Sequence, residues 1–584
     1  MLDGLETSAS ASDTVVILPA MAAGPPSVRR PGRWGASLEA VGRRTAMIGV
    51  VLGLACLTAP ARAASPFGSG PAAHPAAKKK CKHKHKHKHK HKHKHRSAKK
   101  CRKRRVSPQP LSPPSPPSPP VVPALGATAP SAPISVASDP PLFPDFDPRI
   151  HDYTVRCTGD PVMLSGSSAA WPGGVSMSVD GHGPFAADFQ QAVPLSPNQE
   201  FEFDTTSREG SEPYFARCLP TDFPAWNYER SDEPDRPFYV IALRRNPAGA
   251  NYVVVFDNHG VPVWWYPAAI GLGDASALSD ATLSWARGDL GGFEIHQLDG
   301  TLADTVSFQG STTNDHDMQP LPNGNFLLIS YKLRATTVDL TPIGGAPDQT
   351  VRDAAIQEVD PNGTVVWEWN SKDHIGIDQI AANWQSQVAG SAEPHDLLHL
   401  NSVEPDGDSV VISLRFTNAI YKISRDPGDV EWKLGGTTIP QSLNVTGDHP
   451  SSPIAGQHDA RILPDGTLTL HDNETGSGLP PRAVRYAIDE TAGTATQLES
   501  IEDPDIPTAG CCGSARLSPT GNWLISWGQR SQVTEFAPNG DRNFRLTFGP
   551  DLTTAPFTYR AFPVPPGWLN AARLRSGMSS QYPR

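Results

Sequence analysis

Three histidines occupy equivalent positions in successive repeats of this chain. His316, His399 and His458 each precede by seven residues the Asn or Asp that stands before a turn glycine. The same count in the next repeat reaches Gly513, which has no side chain. A neutral imidazole is a good nucleophile and a protonated one donates a proton. Imidazoles brought together by equivalent strands therefore predict nucleophilic or acid–base chemistry.

An amide and two cations accompany these histidines. Asn401 follows His399 by two residues, which places both side chains on one face of a regular strand. Lys332 and Arg415 each follow a turn glycine by eight residues, where the second strand of a hairpin returns to the histidine end. Cations and an amide beside imidazoles predict that an anionic group is held next to a nucleophile or an acid–base pair.

Two arginines and two cysteines adjoin the same positions. Arg461 and Arg516 stand three residues after an equivalent position, on the opposite face if the strand is regular, and are candidates for supporting the site. Cys511 and Cys512 directly precede Gly513. Either a vicinal disulfide or a strained loop with free thiols fits the sequence there.

The positions are equivalent because the chain repeats a hairpin pattern. A strand, a turn and a second strand recur as LPNGNFLLIS from Leu321, EPDGDSVVIS from Glu404, LPDGTLTLHD from Leu463 and SPTGNWLIS from Ser518. A second hairpin type alternates with the first, which gives four strands per unit. Four clear units and two degenerate ones predict a six-bladed β-propeller over residues 236–584, with a closing strand near Thr558. A solenoid is the alternative architecture.

A small β-domain is predicted before the propeller. Short alternating apolar runs between turn residues fill residues 146–235, which indicates a β-sandwich-like module. Cys157 and Cys218 lie within it, and in an exported protein this pair predicts a disulfide because the compartment is oxidising. The predicted fold class is therefore all-β, a six-bladed β-propeller preceded by a small β-sandwich-like domain.

The first 145 residues have the composition of targeting and linker sequence. An apolar run from Met47 to Leu57, followed by a small-x-small site that ends at Ala63, predicts an export signal over residues 1–63. Residues 64–145 combine strict Lys-His alternation with Pro-rich repeats, which favours a disordered linker. We expect an exported protein, extracellular or associated with the cell envelope. Its basic tail is either a solvated spacer or a contact for an anionic cell wall or membrane surface.

The formal charge of −9 is an average over two unlike parts. Residues 78–106 hold 17 Lys and Arg and no acidic residue, whereas residues 146–584 hold 28 basic and 54 acidic residues, a balance of −26. Phosphate contacts need a cationic face, so the acidic body argues against nucleic-acid binding by the folded part. A mean hydropathy of −0.37 argues against a helical membrane protein.

Four motifs resemble one known family. The strings HDMQPLPNG at His316, HLNSVEPDG at His399, SLRFTNAIYKISRDPGDVEWKLGG at Ser413 and QHDARILPDG at Gln457 resemble the bacterial arylsulfate sulfotransferases, the exported type that needs no nucleotide sulfate donor. The resemblance spans roughly residues 146–565. It implies a six-bladed propeller behind a small N-terminal β-domain. It also implies transfer of a sulfuryl group from a phenolic sulfate ester to a phenol through a sulfohistidine.

The resemblance also implies roles for individual residues. His458 would be the nucleophile, and His316 and His399 would bind sulfate and handle the phenol proton. Asn401 and Arg415 would clamp the sulfate, and Ser514 is the nearest counterpart of the family's later hydroxyl ligand. Lys332 comes from the alignment of repeats alone. The expected partners are a small aromatic sulfate donor and a phenol acceptor, with no cofactor and no metal, and a homodimer is left open.

Two other hypotheses explain the same histidines. A three-histidine metal centre would activate water for hydrolysis. A surface propeller without enzymatic activity would bind polymers or partners through its loops. Sulfuryl transfer itself suits the residues, because catalysis of a loose transition state consists mainly of positioning and cationic stabilisation. The sequence lacks the Gly-x-Ser-x-Gly and Gly-x-x-x-x-Gly-Lys-Ser/Thr motifs of rival enzyme classes.

Overall fold

The computed structural model describes most of the chain after residue 134. The predicted export signal and the Lys/His-rich tail lie outside the described residues. The described part is nearly all-β, with 49% of residues in strands and 8% in helices, which confirms the all-β prediction at this level. The described ranges are 135–167, 174–244, 251–268, 272–288, 291–449, 453–549 and 556–584.

Nine strands form the first part of the fold. They make two sheets with the orders β1-β4-β7 and β2-β3-β9-β8-β5-β6. Phe201 and Phe203 alternate with exposed residues along β8 and are buried in the shared core, as period-2 patterning requires. Cys157 and Cys218 form the predicted disulfide, with Cα atoms 5.7 Å apart. The strands are β1 Ser135–Asp139, β2 Leu142–Phe143, β3 Asp152–Val155, β4 Val162–Ser167, β5 Ser176–Val179, β6 His182–Phe185, β7 Phe189–Val193, β8 Glu200–Ser207 and β9 Gly210–Cys218.

The remaining described strands form six further sheets, each built on four antiparallel strands. We number these sheets along the chain: β36-β11-β12-β13 is the first, and β14–β17, β18–β21, β23–β26, β28–β31 and β32–β35 follow. The strands of the first three sheets are β11 Phe238–Arg244, β12 Asn251–Asp257, β13 Pro262–Ala268, β14 Leu272–Ala277, β15 Thr282–Arg287, β16 Gly292–Gln297, β17 Leu302–Val306, β18 Met318–Pro320, β19 Phe326–Leu333, β20 Val351–Val359, β21 Val365–Asn370 and β36 Phe557–Pro563. Those of the last three are β23 Leu400–Asp406, β24 Ser409–Leu414, β25 Ala419–Ser424, β26 Val430–Gly435, β28 His458–Ile462, β29 Leu468–Asp472, β30 Arg482–Asp489, β31 Thr494–Glu502, β32 Ser514–Leu517, β33 Trp523–Ser526, β34 Gln532–Phe536 and β35 Arg542–Phe548.

Three short strands extend these sheets at their edges. The strand β22, His395–Asp396, pairs with β20, and β27, Asn444–Thr446, pairs with β31. The strand β10, Trp226–Arg230, pairs with β35 in the sixth sheet. The predicted boundaries of the small β-domain, 146 and 235, therefore differ from the structure. β1 and β2 begin within the predicted linker, and β10 belongs to a later sheet.

Neighbouring sheets contact each other through one strand of each, which we call the inner strand. The inner strands are β36, β14, β18, β23, β28 and β32. β36 contacts β14, β18 contacts β23, β23 contacts β28, and β28 contacts β32, which contacts β36. The second and third sheets meet where the Asp274 backbone N donates to the Asp315 carbonyl oxygen at 2.9 Å. The last described strand, β36, also pairs with β11, the first strand of the first sheet along the chain.

Turn glycines set the ends of the inner hairpins. Gly324, Gly466 and Gly521 have φ values of 86°, 80° and 91°, a region that glycine enters without steric cost. Each lies at a tip that the repeated hairpin pattern predicts. Because these tips fix the hairpin register, the residue seven positions before each turn reaches the same end of its sheet.

Helices are few and short among the described residues. Two α-helices span Ala382–Gly390, α1, and Ala571–Gln581, α2. The Asn570 side chain caps α2 by accepting from the Arg573 backbone N. In the part of the chain described, neither helix has the length and apolar character needed to cross a bilayer. Single 3₁₀ turns lie at Thr341–Ile343, Ser371–Asp373, Ile377–Gln379, Arg415–Thr417 and Gly528–Arg530.

Candidate active site

Four inner strands carry a β-bulge near the same end of their sheets. In each, the inner strand has one residue more than its partner over the same interval. A bulge bends the strand and redirects its side chains. His399 has a positive φ of 54° and directly precedes the strand that carries the bulge on β23. Asp459 has a positive φ of 57° and lies within the bulge on β28. The bulged positions are Gly273 and Asp274 on β14, Asn401 on β23, Asp459 and Ala460 on β28, and Tyr559 and Arg560 on β36.

His316 and His399 meet at this end of the fold. Their rings lie edge to face with centroids 5.1 Å apart. Tyr331 packs against both rings, and its hydroxyl lies 3.3 Å from His399 Nδ1 and donates to the Leu400 carbonyl oxygen. Phe416 covers His399 from another side, with ring centroids 5.0 Å apart. The structure therefore brings two of the three predicted histidines into direct contact.

Acidic side chains hold both of these imidazoles. His399 Nδ1 lies 2.7 Å from Asp396 Oδ2, and the other oxygen of Asp396 accepts from the His399 backbone N. His316 Nδ1 lies 3.1 Å from Asp315 Oδ1 and also bonds the side-chain oxygen of Asn314. A carboxylate next to Nδ1 accepts a hydrogen bond from that nitrogen and so fixes the orientation of the ring.

His458 is fully buried and has a different kind of partner. Its Nδ1 lies 2.7 Å from Asn473 Oδ1. Asn473 Nδ2 donates to the carbonyl oxygens of Cys512, at 2.9 Å, and Ala509, at 3.3 Å, which fixes the orientation of the amide. Because an amide oxygen only accepts, His458 must carry its proton on Nδ1. The lone pair of the neutral ring is then on Nε2.

Asn401 and Arg415 connect the two histidine regions. Asn401 Nδ2 donates to the carbonyl oxygen of Gln457, the residue before His458, at 2.8 Å. Asn401 is the extra residue of its bulge, so the regular-strand argument that placed it beside His399 was wrong although the residue does lie between the two regions. Arg415 bonds the Gly510 carbonyl oxygen at 2.9 Å, and its guanidinium lies 4.4 Å from the centre of the Trp384 ring.

A network of buried ion pairs lies beside the histidines. Arg461 and Arg560 both bond Asp317, which directly follows His316, at 3.0 Å. Burial would raise the pKa of Asp317, but these two guanidinium groups lower it below its usual value. Arg461 was predicted on the opposite face of a regular strand. The strand is bulged at Asp459, and Arg461 forms part of this ion-pair network. The network contains residues from all six inner-strand regions: Asp274, Asp317, Glu404, Asp459, Arg461, Arg516 and Arg560.

Two predicted site residues have other partners. Lys332 forms an ion pair with Glu368, on the outermost strand of its sheet, and a third of its side chain is exposed. Its neighbour Tyr331 is the residue of β19 that contacts the histidines. Ser514 is buried, and its Oγ accepts from the Ala561 backbone N at 3.1 Å. The structure thus does not bring Lys332 or the Ser514 hydroxyl to the imidazoles.

Replacing Lys332 with alanine should leave turnover of an aryl sulfate within about twofold of the wild type, because exposed ion pairs contribute only about 0–1 kcal/mol. Arg415→Ala is the matched comparison, since Arg415 is buried beside the site, and we expect a loss of about 10²-fold in kcat/KM. Steady-state kinetics with a chromogenic aryl sulfate measures both. A tenfold loss of turnover for Lys332→Ala would show that Lys332 does act in the site.

The structure adds residues that the repeat pattern did not indicate. Asn473, Tyr331 and Tyr559 contact the predicted histidines. Tyr331 and Asn473 each follow a turn glycine by seven residues, one position before the count that reaches Lys332 and Arg415. His471 lies directly opposite His458 in the β28–β29 register and is fully buried. Burial lowers the pKa of His471 to about 4. Its ring occupies the space beside Gly513, where an added Cβ would lie 2.6 Å from it.

Within the described ranges, no group of three or more His, Cys, Asp or Glu side chains is arranged to hold a metal ion. Cys511 and Cys512 are both buried and pack with Tyr559 beside the site. Their segment supplies the carbonyl oxygens that bond Asn473 and Arg415.

Comparisons with known proteins give one family and several distant likenesses of fold. No curated protein matches the chain. A protein of unknown function from Bacteroides caccae is 12% identical over 56% of this chain and 99% of that chain, with a TM-score of 0.35. A catalytically inactive virginiamycin B lyase from Staphylococcus aureus with quinupristin is 10% identical over 57% and 91%, with a TM-score of 0.30. A Cps50 (Swd1) β-propeller domain from Myceliophteria thermophila is 12% identical over 56% and 88%, with a TM-score of 0.29.

The family comparison covers the part of the chain that contains the candidate site. Residues 288–549 match the family described as arylsulfotransferase (ASST). This range includes all three predicted histidines, together with Asn401 and Arg415. The resemblance predicted from the histidine motifs is confirmed over residues 288–549, which match the arylsulfotransferase (ASST) family domain.

Proposed function

We propose that this protein is an arylsulfate sulfotransferase that moves a sulfuryl group from a phenolic sulfate ester to a phenol through a sulfohistidine at His458. The six consecutive sheets and the pairing of β36 with β11 support a six-bladed propeller as its scaffold, with β1–β9 as the small β-domain. The family domain supports the class of reaction. The contacts of the site residues support the route through a sulfohistidine.

One observation carries the proposal: the three imidazoles differ in the charge of the group that holds Nδ1. His399 Nδ1 faces the Asp396 carboxylate. His316 Nδ1 faces the Asp315 carboxylate and also bonds the Asn314 amide oxygen. His458 Nδ1 bonds the uncharged amide of Asn473. Carboxylates favour the protonated imidazolium, which is an acid, and an amide oxygen favours the neutral ring, which is a nucleophile. The pattern assigns the nucleophile to His458 and proton transfer to His316 and His399.

In the first half-reaction, His458 Nε2 attacks the sulfur of the aryl sulfate. An N–S bond forms and the bond between sulfur and the aryl oxygen breaks. The departing oxygen takes a proton from the imidazolium of His316 or His399, because a phenolate has the basicity of a group with pKa near 10. The products are a phenol, a sulfated His458 and a neutral imidazole.

In the second half-reaction, an acceptor phenol enters the site that the first phenol has left. Its oxygen attacks the sulfur, its proton returns to the neutral imidazole, and the N–S bond breaks. His458 is restored with its proton on Nδ1, held by Asn473. No other reactant is needed, since the same acid and base act in opposite directions in the two halves.

In this proposal, Arg415 and Asn401 bind the oxygens of the sulfuryl group. In a loose transition state, negative charge lies on these peripheral oxygens, so a fixed cation and amide donors lower the barrier. Arg415 is 3% exposed and stacked on Trp384, and this packing restricts the orientation of its guanidinium. A buried cation acts more strongly than an exposed one because water screens it less.

Mass spectrometry of the protein mixed with an aryl sulfate, with no acceptor present, tests the proposal. We expect an added sulfuryl group on the peptide that contains His458, and its loss when a phenol is added. Turnover without this adduct would contradict the sulfohistidine route. Stoichiometric zinc in the active protein, measured in the same preparation, would instead favour a metal hydrolase.

We also propose that the protein is exported, on the basis of its first 63 residues and the Cys157–Cys218 disulfide. The segment of residues 64–145 would then act as a spacer. Its basic part supports attachment to an anionic polymer or membrane surface.

A further inference from the structure

The bulge on β36 directs two consecutive side chains toward the centre of the fold. Ile241 of β11 opposes Ala561 and Leu243 opposes Thr558, so Tyr559 and Arg560 together face the single residue Ala242. Arg560 joins the buried ion-pair network. Tyr559 instead lies against His316, with the two rings edge to face and their centroids 5.2 Å apart.

The Tyr559 hydroxyl is a buried polar group without a partner among the described residues. The residue is 5% exposed, and no described donor or acceptor reaches its oxygen. A buried hydroxyl left without a hydrogen bond costs about 1–3 kcal/mol. Burial also raises the pKa of this phenol well above its usual value, so the hydroxyl keeps its proton and can donate it in a hydrogen bond.

Tyr559 lies beside a cation and an imidazole, with the carboxylates of Asp274 and Asp315 near enough to act on its pKa. The Arg560 guanidinium lies 5.1 Å from the centre of its ring, and His316 lies on another side. The Tyr559 carbonyl oxygen accepts from the Gly513 backbone N at 3.0 Å, which attaches this strand to the segment that also bonds Asn473 and Arg415. The half-reactions described above leave this hydroxyl without a role.

We propose that the Tyr559 hydroxyl donates a hydrogen bond to a peripheral oxygen of the sulfuryl group, both in the bound aryl sulfate and as the group moves to and from His458. This inference rests on the proposed function. Tyr559 is then a binding and catalytic residue supplied by β36, the strand that pairs with β11.

The variant Tyr559→Phe removes one oxygen atom and tests the proposal. Because the hydroxyl has no described partner to lose, the melting temperature should stay the same or rise. We expect kcat/KM for a chromogenic aryl sulfate to fall by about 10²-fold, the effect of removing one hydrogen-bond donor to a developing charge. Formation and decay of the His458 adduct should both slow, since the same oxygens are held in both halves. Tyr421→Phe, at a tyrosine 1% exposed on β25, is the matched control.

A second measurement separates this inference from the proposed function. Calorimetry gives the dissociation constant of 4-nitrophenyl sulfate for the wild type and for Tyr559→Phe, and it does not depend on turnover. We expect the variant to bind about tenfold more weakly, which would support the role of Tyr559 even if no sulfohistidine forms. Equal affinities, or equal rates with a preserved adduct, would overturn it. An effect of Tyr421→Phe equal to that of Tyr559→Phe would also overturn it.

Discussion

Replacing His458 with alanine should abolish sulfuryl transfer, with a fall in kcat of about 10⁴-fold or more and no sulfated peptide. Removal of a covalent nucleophile has effects of this size because the remaining groups only bind and orient the substrate. The imidazoles of His316 and His399 should not replace it, since their own carboxylate partners hold each ring in another position. Steady-state turnover and the mass of the trapped protein measure the two outcomes together.

The fold must be monitored because His458 is fully buried. In the alanine variant, Asn473 Oδ1 loses its hydrogen-bond partner, which costs about 1–3 kcal/mol. Thermal unfolding followed by circular dichroism shows whether the variant keeps its sheets. His296→Gln is the matched control, since His296 is 3% exposed and bonds Glu294 on a strand outside the site. This control should keep full turnover.

Added imidazole provides a further check on His458→Ala. The truncated side chain leaves space in which a free imidazole can bind and attack the aryl sulfate. Turnover should then increase with imidazole concentration, and the sulfated product should include N-sulfoimidazole. If the folded alanine variant kept the turnover rate of the wild type without added imidazole, His458 would not be the nucleophile.

The repeat pattern predicted the residues that lie at the ends of inner hairpins. His316, His399 and His458 follow from a count back from a turn glycine, because turn chemistry fixes hairpin register and register fixes where a strand starts. Arg415 follows from the same count on the returning strand. Lys332 occupies the matching position, but adjacent residues of a strand point to opposite faces. Tyr331 contacts the site and Lys332 pairs with Glu368.

The bulges could not be predicted from the sequence. A bulge is a property of two paired strands, and no residue type on one strand requires it. The bulged positions nevertheless decide where Asn401 lies and bring Tyr559 to His316. Arg461 and Arg516 were predicted beside the site from spacing alone. Their pairing with buried aspartates depends on neighbouring sheets that are distant in the sequence.

Asn473 has the second-largest expected effect, because it determines which nitrogen of His458 carries the proton. Asn473→Leu should remove this control and lower kcat by about 10²–10⁴-fold, comparable to other sites in which the orienting partner of a histidine is lost. The ring can then adopt the other tautomer, with its proton on Nε2, which cannot attack sulfur. The adduct should still form, slowly, since the nucleophile remains.

Asn473→Asp separates tautomer control from charge. An aspartate oxygen can accept from His458 Nδ1 just as the amide does, so the correct tautomer is kept. Its negative charge stabilises the imidazolium form of His458. We expect the acid limb of kcat/KM against pH to move upward by about 1–3 pH units, with activity recovered at alkaline pH. Asn473→Leu should show no such recovery. If the two variants gave the same pH profile, Asn473 would be only a packing residue, and the charge difference among the three histidines would not explain their roles.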